Sequence, residues 1–88
     1  MPAYAVYPQF KRFRLAEVRN QALVWVRDCA VGERVARAMT EWVGVVHACY
    51  WVGPADVPLR ELVPGVWVRA EEGYRGAVES LERALKGE

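Results

Sequence analysis

The sequence predicts an α+β fold in a single domain of 88 residues, with one sheet, helices on one face and the approximate order β-β-α-β-β-α. Three observations lead to this fold class. Residues 33–43 and 73–86 carry apolar side chains at helical spacing, whereas 45–52 is a short run rich in β-branched and aromatic residues. Gly44 separates the first helix from that run.

The central segment determines the choice of fold class. Val35, Met39 and Trp42 fall at i, i+4 and i+7, so they share one helical face. Gly44 follows, and glycine tolerates the positive φ at which many helices end. The run 45–52 is then favoured as a strand that is buried on both faces. A helix that continues through Gly44 is the rival interpretation, and it would make the fold mostly helical.

The N-terminal part predicts two further strands. Residues 3–7 form a short strand that ends at Pro8, and the apolar run within 22–27 is typical of a second strand. The segment 10–19 stays open between helix and strand, because its signals conflict. Asp28 is an expected N-cap of the central helix, since its carboxylate can accept hydrogen bonds from unpaired backbone N–H groups.

The C-terminal part contains the strongest helical pattern. Residues 57–63 are interpreted as a short helix after a cap, and 66–69 as a short strand after the Pro64-Gly65 turn. Over 73–86, apolar side chains recur at i, i+4, i+7 and i+11, and oppositely charged side chains lie four residues apart on the other face. This pattern predicts a C-terminal helix over about 73–86.

The apolar periodicity of each element also predicts which side chains form the core. The predicted core residues are Val35, Met39, Trp42, Val46, Ala48, Tyr50, Val66, Val68, Val78, Leu81 and Leu85.

The apolar content predicts self-association. Hydrophobic residues make up 53% of the chain, including four Trp and four Tyr, and a domain this small cannot bury all of them. Exposed apolar patches usually mark interfaces, so we expect a homo-oligomer, a small self-associating interaction module. The edges of the strands at 22–27 or 66–69 are the expected pairing sites, because an uncovered edge offers free backbone donors and acceptors.

Charge and composition limit the setting of the protein. The net charge of +1 is unevenly spread, with seven basic and three acidic residues in 1–40 against five basic and eight acidic in 41–88. Few Asn, Gln, Ser and Thr residues, with fifteen Val and ten Arg, suggest a thermophilic source. No signal peptide and no membrane span are indicated, so we expect a cytoplasmic protein.

One stretch suggests nucleic-acid binding as the alternative function. It interleaves phosphate-neutralising charges with rings that can stack on bases. Its residues are Phe10, Lys11, Arg12, Phe13, Arg14 and Arg19. The same pattern also fits two core phenylalanines beside a solvated basic face, because aromatic residues three apart are more often core residues.

No motif indicates catalysis, so we predict no catalytic residue, cofactor or small-molecule substrate and favour a non-enzymatic role. His47 and Cys49 are two apart and would share a strand face, where Cys29 could join them. Their spacing matches no zinc motif, and we predict no metal site. A core histidine beside two apolar cysteines is the favoured interpretation, and a Cys29–Cys49 disulfide is the alternative to it.

Overall fold

The structure is a computed structural model that describes residues 2–9 and 12–87. Within these residues the elements are β1 (Tyr4–Pro8), α1 (Leu15–Gln21), β2 (Val24–Val26), α2 (Cys29–Val43), β3 (His47–Trp51), β4 (Leu59–Val63), β5 (Val66–Arg69), a 3-10 turn (Glu72–Tyr74) and α3 (Arg75–Lys86). The α+β fold class is confirmed, and the mostly helical alternative is not adopted.

The described strands form one antiparallel sheet in the order β3-β1-β2-β5-β4. Alternate residues of a strand point to opposite faces of a sheet. Ala5 and Trp25, which are cross-strand partners, therefore face one side, and their neighbours Val6 and Val24 face the other. Each face carries its own apolar cluster.

The larger cluster contains Val6, Val24, Val26, Val35, Ala36, Met39, Val66, Val68, Val78 and Leu81, and the smaller one contains Ala5, Val18, Ala22, Trp25, Val52 and Ala55. Helices α2 and α3 both pack on the face of the sheet that carries the larger cluster. Helix α1, which lies in the segment that the sequence left open, contributes Val18 to the cluster on the opposite face.

Helix α2 begins and ends as the sequence predicts. The Asp28 carboxylate accepts a hydrogen bond from the Val31 N–H at 3.0 Å, which satisfies one unpaired donor of the first turn. Gly44 adopts φ 80°, a left-handed conformation that ends the helix after Val43. The chain then enters β3, so the predicted order of helix, glycine stop and strand is confirmed.

The predicted short helix at 57–63 is wrong, because Leu59–Val63 is strand β4. Its pairing with β5 is interrupted by a bulge between Glu61 and Val63. A bulge breaks the two-residue alternation of a strand. Leu62 and Val63 consequently both pack against the larger cluster, whereas Leu59 packs against the smaller one. Because of the bulge, the apolar residues Leu59, Leu62 and Val63 of this strand have the i, i+3, i+4 spacing that is typical of a helix.

The predicted core is wrong at Trp42 and Val46, which are exposed, while Ala48, Tyr50 and Leu85 are half-buried. The buried stripe of α2 runs through Val35, Ala36 and Met39 and stops there. No residue of α2 after Met39 is buried, and Val45 and Val46 in the following loop are exposed. The apolar side chains of this segment consequently meet solvent instead of the core.

Helix α2 approaches β3 closely at Gly32. A Cβ atom added at Gly32 would lie 2.3 Å from Sγ of Cys49 and 2.8 Å from its Cβ. Both separations are far inside van der Waals contact, so only glycine permits this packing. Gly76 in α3 is a natural control, because a Cβ atom there would meet nothing within 4 Å.

We therefore expect Gly32→Ala to lower the free energy of unfolding by about 1–3 kcal/mol through overpacking, although alanine is the better helix former. Gly76→Ala should leave stability unchanged or raise it by up to about 1 kcal/mol. Urea unfolding followed by circular dichroism measures both values. Equal stability of the two variants would contradict the close approach of α2 to β3.

Arg69, the last residue of β5, connects the sheet to the C-terminal end of α1. It is only 4% exposed, and its Nε–H donates to the Ala22 carbonyl at 2.7 Å. One terminal nitrogen donates to the Asn20 carbonyl, and the other donates to Glu71 Oε1 at 2.9 Å. The guanidinium also lies against the Trp25 ring. The hydrogen bonds to Ala22 and Asn20 hold the C-terminal end of α1 to β5.

Replacing Arg69 with Ala should cost about 2–4 kcal/mol of unfolding free energy, because it leaves the buried Ala22 carbonyl and the partly buried Asn20 carbonyl without their donors. Arg69→Lys should cost less than the alanine replacement but still destabilise, since an ammonium cannot reproduce the planar fork. Arg60→Ala, an exposed neighbour on β4, is the control and should change stability by less than about 0.5 kcal/mol. Denaturant unfolding at neutral pH compares the three variants. A loss in Arg69→Ala no larger than the control would contradict this role.

Candidate interaction groove

The sheet order leaves β3 and β4 at its two edges. The predicted pairing sites at 22–27 and 66–69 are therefore wrong, because β2 and β5 are interior strands with a partner on each side. The strand order of a sheet is set by long-range packing and not by the local pattern of any one strand. Of the two edges, β3 lies beside a groove.

The outward backbone of β3 follows from its pairing with β1. The Gln9 N–H donates to the Val46 carbonyl at 2.7 Å, and the Val52 N–H donates to the Ala3 carbonyl at 2.9 Å. In an antiparallel ladder such bonds recur at every second residue. The backbone groups of the intervening residues Cys49 and Trp51 consequently point away from β1, toward the open edge.

Helix α2 forms one wall of the groove and β3 forms the other. The groove has a volume of about 600 Å³ and is open to solvent. Its lining residues are Cys29, Glu33, Ala36, Arg37, Thr40, Glu41, Val46, His47, Ala48 and Cys49. The helical wall thus carries both acidic and basic side chains.

A hydrogen-bond chain closes the end of the groove near the C-terminus of α2. Thr40 Oγ1 donates to the Ala36 carbonyl at 2.8 Å and accepts the His47 N–H at 2.9 Å. The buried imidazole of His47 lies with Nδ1 2.6 Å from the Val45 carbonyl oxygen. His47 is thus a satisfied core side chain, as the favoured interpretation predicts. The described part of the chain contains no cluster of three or more His, Cys, Asp or Glu side chains arranged to hold a metal ion.

The two cysteines meet at the other end of the groove. Cys29 is the first residue of α2 and is exposed, and Cys49 is half-buried in the middle of β3. Burial, followed by the neighbouring Cys29 thiol, raises the pKa of the Cys49 thiol to about 12. Cys49 is therefore a neutral thiol at physiological pH.

An apolar rim lies on α2, on β3 and on the loop between them, and is defined here as Trp42, Val43, Val45, Val46 and Trp51. Each of these side chains is at least 40% exposed, and Trp51 reaches 61%. Trp42 and Val43 precede Gly44, and Val45 and Val46 follow it, so these four residues lie where α2 ends and before β3 begins. Sequence reasoning missed this rim because it assigned Trp42 and Val46 to the core. The signal that could have found it is an apolar run continuing through a helix stop.

Phe13, the aromatic residue of the predicted nucleic-acid site that the structure describes, is half-buried. Phe13 packs edge-on against Tyr7 and Tyr50, with ring centroids 6.1 and 4.9 Å apart. Arg12 and Arg14 are exposed, and Nε of Arg19 lies 4.0 Å from a carboxylate oxygen of Asp56. Phe10 and Lys11 are outside the described residues. Nucleic-acid binding by this stretch stays a prediction.

Comparison with protein-family models, with curated proteins and with solved structures found no match to this chain. Within residues 2–9 and 12–87, no helix has the length and hydropathy that a membrane span requires.

The raised pKa of Cys49 predicts a specific loss of stability in alkali. The unfolded thiol ionises near its ordinary pKa of 9.0, whereas the folded thiol stays protonated until about pH 12. The contribution of the protonated Cys49 thiol to the free energy of unfolding is therefore fully present below about pH 9 and is lost as the pH rises toward 12. Cys49→Ser, which does not ionise there, should lose less stability over the same interval. Urea unfolding at a series of pH values measures the difference, and parallel curves would contradict the burial of this thiol.

Proposed function

We propose that this protein is a small self-associating interaction module in which two copies pair along β3. The observation that carries the proposal is an open strand edge beside an exposed apolar rim. An open edge presents unpaired N–H and C=O groups in a row, and a second strand satisfies them by extending the sheet. The backbone groups of Cys49 and Trp51 are the ones a partner strand would meet.

The contrast between the two sheet edges supports β3 as the pairing edge. Strand β4 exposes Arg60 and Glu61, contains the bulge before Val63 and is followed by Pro64. Charges, bulges and proline are the features that discourage edge-to-edge pairing. The sequence of β3, HACYW, contains no acidic, lysine, arginine or proline residue, and its pairing with β1 is regular.

The charges of the groove favour a second copy of the same chain as the occupant. Arg37 lies on the helical wall between Glu33 and Glu41, so this wall is basic in the middle and acidic on both sides. In a two-fold symmetric pair the same surface meets itself in reverse direction. When the two-fold axis lies between Glu33 and Arg37, the Arg37 side chain of each copy approaches Glu33 of the other, and this register sets the orientation of the pair.

The apolar rim supplies the driving force for association. Burying apolar area stabilises by about 25 cal/mol per Å², and large aromatic side chains contribute most of such an interface. Trp42 and Trp51 are exposed aromatic residues of this rim. Pairing along β3 would shield the rim from water while it satisfies the backbone edge.

Three finer predictions from the sequence stay predictions. The thermophilic source rests on composition, the cytoplasmic location on the lack of a signal-peptide or membrane-span pattern, and the alternative of nucleic-acid binding on the basic-aromatic pattern of residues 10–19. Exposed Arg12 and Arg14 are compatible with the last of these, but the packing of Phe13 leaves it without a free ring in the described part of the stretch.

The double variant Val46→Lys/Trp51→Lys tests the proposal, because lysines on an edge repel a second copy and abolish the apolar contact. Light scattering at tens of micromolar should show a dimer or higher oligomer for the original chain. The variant should dissociate at a protein concentration at least about tenfold higher than the original chain, or be monomeric. A monomeric original chain would sink the proposal.

Leu15→Lys is the matched control, since Leu15 is equally exposed but lies on α1, across the sheet from α2. It should leave the mass unchanged. A second variant, Trp51→Pro, removes an outward N–H without breaking the ladder with β1, and it should also weaken association. Circular dichroism confirms that each variant folds. Loss of association in Leu15→Lys alone would place the interface on the other face.

A further inference from the structure

The two cysteines of the chain come from different elements and lie at the same end of the groove. Cys29 opens α2 and Cys49 is the central residue of β3. Both side chains line the groove, and the Cys29 thiol is near enough to contribute to the raised pKa of Cys49. Both are free thiols in the structure.

Gly32 is the reason for this proximity. Because Gly32 has no side chain, the first turns of α2 lie directly on Cys49, with space for nothing larger than hydrogen between them. Cys29 precedes Gly32 by three residues, so it lies on the same side of the helix and over the same strand. The position of α2 thus brings the thiols together.

The two thiols differ in access and in chemistry. Cys29 is exposed at the start of α2, where a disulfide in solution can reach it. Cys49 is half-buried under α2, and its raised pKa keeps it protonated. An exposed thiol that attacks first and a shielded thiol that reacts second are the components of an intramolecular disulfide exchange.

We propose that Cys29 and Cys49 form a redox-active dithiol site that low-molecular-weight disulfides oxidise to an intramolecular disulfide. The Cys29 thiolate attacks one sulfur of oxidised glutathione, forms a mixed disulfide and expels one glutathione thiolate. Cys49 transfers its proton to solvent as its sulfur attacks Cys29, and the second glutathione leaves as a thiolate. The protein loses two electrons and two protons, and one oxidised glutathione becomes two reduced molecules.

The disulfide would join the start of α2 to the middle of the edge strand. It would fix one end of the groove covalently, whereas the other end is held by the Thr40–His47 hydrogen bond. Formation of this disulfide does not require the proposed self-association, because both thiols belong to one chain. Reduction by excess glutathione or dithiothreitol would reopen it.

The first experiment incubates the reduced chain with oxidised glutathione and follows free thiols and intact mass. Both thiols should disappear, the mass should fall by two hydrogens, and no glutathione should remain attached. Because the disulfide closes a loop of about twenty residues, the thermal midpoint should rise by roughly 10 °C or more. Two titratable thiols after equilibration, or a disulfide between two chains on a non-reducing gel, would overturn the proposal.

The second experiment tests the order of attack with two matched serine variants. Cys49→Ser should retain one glutathionyl group on Cys29, because no second thiol can expel it. Cys29→Ser should react at least about tenfold more slowly, because the remaining thiol is shielded and protonated. Equal rates in the two variants would overturn the assigned roles. Neither variant should show the rise in thermal midpoint, and a rise in either would show that the stabilisation does not come from this bond.

Discussion

The close approach of α2 to the edge strand β3 is the constraint on which the groove depends. Gly32 permits it, because any side chain at that position would overlap Cys49. At the other end of the helix, the Thr40 hydroxyl accepts a hydrogen bond from the His47 N–H, which satisfies one outward-pointing donor of β3. The helix is thus held to the strand at two points. Between them lie the groove and its charged helical wall, and at one end lie the two thiols.

The two faces of the sheet differ in how completely they are covered. One face is covered by α1 and by the buried guanidinium of Arg69, whose donors are directed at backbone carbonyls and a carboxylate. The other face is covered by α2 and α3 over most of its area. Four members of the apolar rim lie at the last turn of α2 and in the loop after it, and Trp51 lies at the far end of β3. An exposed apolar patch costs solubility unless a partner covers it, so its place beside the open edge favours association there.

Much of the fold was predictable from local pattern. The Asp28 cap, the stop at Gly44 and the following strand depend on interactions within a few residues, so they follow from the sequence. The helix predicted over 73–86 corresponds to α3 with the 3-10 turn before it. Strand β4 was mistaken for a helix because its bulge gave Leu59, Leu62 and Val63 a helical spacing. A bulge forms only against a partner strand, and a local pattern does not contain that partner.

The sequence by itself determined the fold class, the main helix and strand assignments around Gly44, and an apolar content too large for a domain of this size. These properties depend on residue periodicity and composition, which a single chain displays directly. The tertiary structure alone decided which strands lie at the edges, where the excess apolar side chains are exposed and which distant residues meet. Cys29 and Cys49 are close, and Trp42 is exposed, because of how α2 lies across the sheet. That placement results from packing between elements far apart in the chain, and no local spacing encodes it.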